Sequence, residues 1–390
     1  RRAAPSPPPR RGITSCHLTL VTRPLPRMGF FDKLKAAFTK TTSALAHEVS
    51  GGPVIAPGFV DLHLHGFGGC NPLLDLEGMA RALARFGTTS FQPTLFPAEP
   101  SVLGECCASL EAAAAKLPHG VARVAGIHLE GPFVNPEMAG ALPKHDLHAP
   151  SVAGLRAILG PSTGSGRMVR TLTVAPELSG SFDMIAECVK SGVRVSLGHS
   201  KSDAATARKA AQHGAVGATH LFNAMGPIHH REIGLAGMAL TDAALYAEII
   251  GDLMHVGGDA IDLALKARTP RGLCLVSDAL QGAGTGCNHF HANGRDHVIH
   301  DGAAYYPPKV AGDPPKLAGS ALSQLEMVRR LVSRGYVSLA DALTMASTTP
   351  AEALGLACGR IAVGAPADLV VLRGAELALE AVYVGGVRAT

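Results

Sequence analysis

The sequence predicts an α/β fold, a closed (β/α)8 barrel. Two observations carry this. From Pro53 onward, short β-rich runs alternate with helical stretches about eight times, and the chemically reactive residues fall where the apolar runs end. The length of 390 residues leaves room for one barrel of about 250 residues plus a minor unit. A doubly wound open sheet is the alternative assembly of the same units.

The front of the chain stands apart. Residues 1–27 are rich in Arg and Pro and contain no acidic residue. They read as translated upstream sequence before a second start at Met28, with a transit peptide as the alternative. From Met28, the residues Phe30, Phe31, Leu34, Ala37, Phe38 and Leu45 recur at helical spacings, which predicts an amphipathic helix reaching His47 and Glu48.

The alternation then begins. The runs VIAPGFVDLHLH, TTSFQPTLF, ARVAGIHLE, VRTLTVAPE, VRVSLGHS, VGATHLFNAM, YAEIIGD and LCLVSDAL read as strands. Between and after them, segments such as LEGMARALARFG, FDMIAECVKSG, DAATARKAAQHG and LSQLEMVRRLVSRG carry apolar residues at helical spacing. The His-rich run NHFHANGRDHVIH, with His289 and His291, lies between turn residues and reads as a loop near the mouth of the site.

Composition narrows the function classes. Apolar residues make up 47%, with Gly 45, Pro 27 and no Trp, as in a soluble α/β enzyme with many tight turns. The net charge of +4 comes from scattered Lys and Arg without a basic stripe, so nucleic acid is not an expected partner. No apolar run reaches the roughly 18 residues of a membrane span. The eight cysteines form no CxxC pair, and they read as reduced thiols of a cytoplasmic protein.

His63 and His65 close one run, Glu130 another, and His199, His220 and Asp278 three more. A single His or Asp at such a place is ordinarily a hydrogen-bonded turn former. Six of them, all imidazole or carboxylate, would meet on one face of a barrel because every strand's C-terminal end opens there. That ligand set suits Zn²⁺ or a similar divalent ion, and the i, i+2 spacing of His63 and His65 sends both rings to one side of their strand.

With these residues in view, PGFVDLHLHG resembles the metal-binding opening of the amidohydrolase superfamily. The segments GIHLEGPF, THLFNAMGPIHHRE, LVSDAL, LAGS and GRIAVGAPADLVVL resemble the N-acetylglucosamine-6-phosphate deacetylase family in its own order, over residues 53–390. The resemblance implies a metal-dependent hydrolase barrel over 58–357, a small β-sandwich domain from 53–57 and 358–390, and residues 1–52 as an atypical extension. It implies one or two divalent ions, most simply Zn²⁺, with Glu130, His199 and His220 holding the first. His63 and His65 hold the second, with Glu130 bridging, and Asp278 acts as general acid and base. Asn223, Ala224, Arg231 and His255 hold an amino-sugar phosphate, Arg231 reaching across a homodimer interface. Leu317, Ala318 and Gly319 line the substrate, beside Ala141 and Leu142.

Three departures from the family pattern matter. Leu142 stands where the family carries a His that helps polarise the acetyl carbonyl or contacts the sugar, so either His145 swings in, or the metal alone polarises the carbonyl, or the preferred substrate differs. Leu253 stands where Gly is usual before His255. The N-terminal strands of the small domain are replaced, leaving only GPVIAPGF, so that domain is expected to be incomplete and the chain weakly stable or soluble. The expected activity is hydrolysis of N-acetyl-D-glucosamine 6-phosphate. The alternatives are action on another N-acyl amino sugar, and a catalytically impaired sugar-phosphate-binding homologue.

Overall fold

The computed structural model describes residues 47–48, 52–160, 168–308 and 314–390. Eight parallel strands form the barrel: β1 (Phe59–Leu64), β2 (Thr88–Leu95), β3 (Ile127–Glu130), β4 (Val169–Val174), β5 (Arg194–Leu197), β6 (Ala215–Ala218), β7 (Tyr246–Ile250) and β8 (Leu273–Val276). They pair in chain order, and a short strand, Arg123–Val124, adds to β2. The open-sheet alternative fails at the seam between β1 and β8. There Asp278 N–H donates to the His63 carbonyl at 2.8 Å, His65 N–H donates to the Ala279 carbonyl at 2.8 Å, and Leu64 bridges Ala279 in parallel register.

Every residue of β1 is buried, as expected where helices cover a parallel sheet on its outer face. Alternation places Val60, Leu62 and Leu64 on one face and Asp61 and His63 on the other. The helix Leu76–Arg85 shows what holds the outer layer: Leu76, Met79, Ala80, Leu83 and Ala84 form its buried stripe, and Asp75 caps it by accepting from Gly78 N–H at 2.8 Å. The late helix Gln324–Ser333 starts at a capping box between Ser323 and Glu326.

Two antiparallel sheets accompany the barrel. In the first, Val54–Pro57 pairs with Leu369–Arg373, which pairs with Ala378–Val384 and then Val387–Arg388. The sequence reading requires a correction here, because His47–Glu48 is a strand paired with Val54 and Ile55, not the end of a helix. The cross-strand partner decides its conformation, whatever its helical spacing. Val54–Pro57 is thus not the lone N-terminal strand, and this sheet's edges are two-residue strands carrying charged residues, which limits edge-to-edge pairing. The remainder of the anticipated helix from Met28 lies outside the described residues.

The second sheet corrects the reading of the His-rich run. His289–Ala292 and Arg295–His300 are antiparallel strands joined by Asn293-Gly294, followed by Ala303–Tyr306 and Lys316–Ser320. Asn293 and Gly294 have φ of 52° and 71°, the left-handed pair that a tight two-residue hairpin requires. The last strand returns to the barrel, where Ser320 N–H donates to the Asp278 carbonyl at 2.9 Å.

Candidate metal centre and active site

The six residues anticipated from strand ends meet at the C-terminal mouth of the barrel. Glu130, ending β3, lies at their centre. Its Oε1 is 2.8 Å from His199 Nε2 and 3.0 Å from His220 Nε2, while its Oε2 is 3.1 Å from His65 Nε2. One carboxylate thus belongs to two adjacent groups, Glu130/His199/His220 and His63/His65/Glu130, its Oε1 facing His199, His220 and, at 3.7 Å, His63, and its Oε2 facing His65. Asp278 Oδ1 stands 3.5 Å from both His63 Nε2 and His65 Nε2.

Local backbone geometry aims these side chains inward. His199, His220 and Asp278 adopt φ of 47°, 30° and 46°, left-handed values that cost non-glycine residues about 1–3 kcal/mol each. Such values persist only where neighbours enforce them. The His199 carbonyl accepts from Asn135 N–H at 3.0 Å, and Asp278 is held by the barrel seam.

Hydrogen bonding fixes the tautomer of His199. His199 Nδ1 faces the Met138 carbonyl at 2.8 Å, and a carbonyl can only accept, so the proton sits on Nδ1. In the neutral ring Nε2 then carries a lone pair, aimed at the Glu130 carboxylate and at His220 Nε2, 3.0 Å away. Three electron-rich atoms at such distances repel one another unless protons or a cation lie among them. His63 Nε2, buried and without a hydrogen-bond partner, poses the same problem next door.

The electrostatics agree. Burial alone would lower the affinity of His63 for a proton, yet Asp278, Glu130 and Glu248 outweigh it and raise its pKa well above the ordinary imidazole value. His220 is raised as well, burial being outweighed by Glu130. Burial pushes Glu130 up, but His199, His220 and His63 hold it well below the usual carboxylate range. A site that draws protons onto its imidazoles in this way draws a divalent cation for the same reason, and its N and O donors fit one.

His128, two residues before Glu130, is not part of this set. Its Nδ1 meets Thr94 Oγ1 at 3.2 Å and its Nε2 meets Thr173 Oγ1 at 2.8 Å, so both nitrogens are spoken for inside the barrel. Burial, assisted by His63, keeps it well below the usual imidazole pKa and therefore neutral.

Above the cluster lies a cavity of about 160 Å³. Asn223, Ala224, His255, Ala141, Leu142, Leu317 and Ala318 line it, together with Asp278 and the candidate ligands His65, Glu130, His199 and His220. Two of the anticipated substrate residues do not line it. Gly319 lies one step further along its strand, and Arg231 is exposed, its guanidinium 3.0 Å from His230 Nε2. The cavity instead carries Lys316, which bonds the Gly140 carbonyl across the mouth. Its place just before Leu317 was the available signal.

His255 gives its Nδ1 proton to Asp252 at 2.6 Å, leaving Nε2 for the cavity. Leu253 between them has φ of 62°, a left-handed conformation that explains why glycine suits this position. Leu142 is 6% exposed and packs with Val134, Ala139 and Ala175. His145 does not replace it: its side chain is 78% exposed and pairs with Asp146.

The sequence pattern described as Amidohydrolase family matches residues 54–388. The chain belongs to the amidohydrolase family. Its relatives include the human N-acetylglucosamine-6-phosphate deacetylase, 36% identical over 372 residues, covering 91% of this chain and 88% of that one. The N-acetylgalactosamine-6-phosphate deacetylase of Escherichia coli O157:H7 is 33% identical over 327 residues, covering 82% and 83%. Among solved structures, a mutant N-acetyl-D-glucosamine-6-phosphate deacetylase from Mycobacterium smegmatis, in complex with N-acetyl-D-glucosamine-6-phosphate, superposes with a TM-score of 0.76 at 33% identity, covering 86% of this chain and 87% of that one.

Proposed function

We propose that this chain hydrolyses the acetamide of N-acetyl-D-glucosamine 6-phosphate, releasing acetate and D-glucosamine 6-phosphate. The observation that carries the reading is the convergence of Glu130, His199, His220, His63, His65 and Asp278 beneath one small cavity. The similarity to the human and mycobacterial deacetylases supports the choice of substrate.

In this reading Glu130, His199 and His220 would hold a first divalent ion, most simply Zn²⁺, and His63, His65 and Glu130 would hold a second. When bound, the metal makes water a competent nucleophile near neutral pH and draws electron density from the acyl oxygen. Asp278 accepts the proton of the attacking water as its oxygen bonds to the acyl carbon. The same carboxyl then returns that proton to the nitrogen as the C–N bond breaks, because an unprotonated amine anion is a prohibitive leaving group. Leu142 has no proton to donate, so the side chain at that position does not polarise the carbonyl.

Asn223, Ala224, His255, Lys316 and Arg231 hold the sugar phosphate, with Arg231 acting across a homodimer interface. A guanidinium matches phosphate bidentately, which favours a phosphorylated sugar over a free one. The expected setting is cytoplasmic amino-sugar catabolism. Among the described residues no helix is long and apolar enough to cross a membrane.

A second reading, action on another N-acyl amino sugar, is favoured by Leu142 at the cavity, by Leu253 two residues before the cavity-lining His255, and by the similarity to the N-acetylgalactosamine-6-phosphate enzyme. Initial rates of acetate release from the phosphorylated gluco and galacto sugars and from unphosphorylated N-acetylglucosamine separate the readings. The proposal expects the phosphorylated gluco sugar to be preferred. Equal rates with and without phosphate would remove the phosphate-binding role, and binding without turnover on any of them would favour an impaired homologue.

A further inference from the structure

We infer that Glu248 is the positioning residue of the second metal pocket, fixing His63 and tying that pocket to the backbone of His220. The inference rests on the two-ion reading above. Glu248 lies in the middle of β7 and is 6% exposed. Among the described residues no Lys or Arg pairs with it; its ion-pair partner is His63, with Nδ1 3.1 Å from Glu248 Oε2. The same oxygen accepts the His220 backbone N–H at 3.3 Å. A buried carboxylate is expensive unless its partners hold it, so one committed to a single imidazole marks that ring as the group to be controlled.

The control is specific. An ionised carboxylate can only accept, so Nδ1 of His63 carries a proton, and in the neutral ring, the form that binds a metal, Nε2 holds the lone pair. Nε2 then faces Glu130 Oε1 at 3.7 Å and Asp278 Oδ1 at 3.5 Å, with no hydrogen-bond partner of its own. A carboxylate behind a ligating imidazole sets its tautomer and raises its basicity toward a metal. The companion ligand has no such support: His65 Nδ1 is buried without a partner, and the ring rests on Phe96 by stacking at 3.8 Å and 8°. The second pocket therefore depends on Glu248 far more than the first does, since His199 is oriented separately by the Met138 carbonyl.

The test is zinc binding to the metal-free full chain, comparing the parent with Glu248→Ala and Glu248→Gln. Titration calorimetry gives the affinities, and elemental analysis after gel filtration gives the zinc count. The parent should take up two zinc ions in two steps. Glu248→Ala should weaken the weaker step by about 10–100-fold, the range for loss of such a supporting group, and leave the tighter step within about threefold. Glu248→Gln, whose amide oxygen can still accept the His63 proton, should recover part of the loss. Two ions at parental affinities in Glu248→Ala would overturn the role of Glu248 and leave the two-ion reading standing. A single ion in the parent would overturn both together. Equal weakening of both steps, with a lower unfolding temperature of the metal-free variant and no rescue by Gln, would reduce Glu248 to a structural residue and overturn the inference.

Discussion

Replacing Asp278 by Asn removes a charge and a proton acceptor while keeping the shape. Asn tolerates left-handed backbone well, so the φ of 46° is retained and the fold should survive with little change in stability. The carboxylate lines the cavity and faces both imidazoles of the second pocket at 3.5 Å, and Glu130, the other carboxylate there, is engaged with three imidazoles. No other cavity carboxylate is placed to take over its proton transfers. Positioned acid–base catalysis contributes about 10²–10⁴-fold, which at 1.36 kcal/mol per decade is about 3–5 kcal/mol of barrier. Acetate release at saturating zinc and substrate should therefore show kcat reduced by at least a hundredfold, with KM changed much less. The zinc content must be measured on the same samples, because loss of a negative charge also weakens cation binding. A fully metallated variant turning over within about threefold of the parent would refute the assignment.

Other outcomes follow from the same geometry. Lys316→Ala and Arg231→Ala should each raise KM for the phosphorylated sugar by about tenfold or more, the worth of one charge-assisted hydrogen bond of 1.5–3 kcal/mol. Neither should alter the rate on an unphosphorylated analogue, and steady-state kinetics on both substrates checks this. For Asp252, burial pushes the carboxyl up, but the His255 ring and the amides of Met254 and His255 outweigh it and hold it below its ordinary value of 3.8. A depressed carboxyl contributes stability that is present above its unfolded value and is lost as pH falls through its lower, folded value. Asp252→Asn should thus lower stability at pH 7 by about 1–3 kcal/mol and flatten the acid decline below about pH 4. Denaturant melts at several pH values measure both effects, and an unchanged acid decline would count against the Asp252–His255 pair.

The barrel and the convergence of its six strand-end imidazoles and carboxylates were legible because both rest on patterns the chain repeats. Apolar runs of strand length end in imidazole or carboxylate, and a parallel barrel forces those ends together. Glu248 was not legible: it sits inside the apolar run YAEIIGD, and the ring it holds is 185 residues away, so no local spacing announces it. The hairpin at Asn293-Gly294 carried a turn signal that its His-rich, poorly apolar flanks obscured. His47–Glu48 has its conformation set by pairing with Val54 and Ile55, which no reading of helical spacing reveals. Arg231 matched its family motif, yet a motif does not specify which side of a subunit boundary completes a site; its guanidinium is exposed here.

The most direct test of the central claim pairs zinc quantification with acetate release from N-acetylglucosamine 6-phosphate on one preparation, before chelation, after chelation and after zinc is restored. The account predicts two zinc ions per chain, activity that falls with their removal, and recovery in proportion to zinc returned. Activity that persists in metal-free protein, or a fully zinc-loaded chain that releases no acetate, would contradict it.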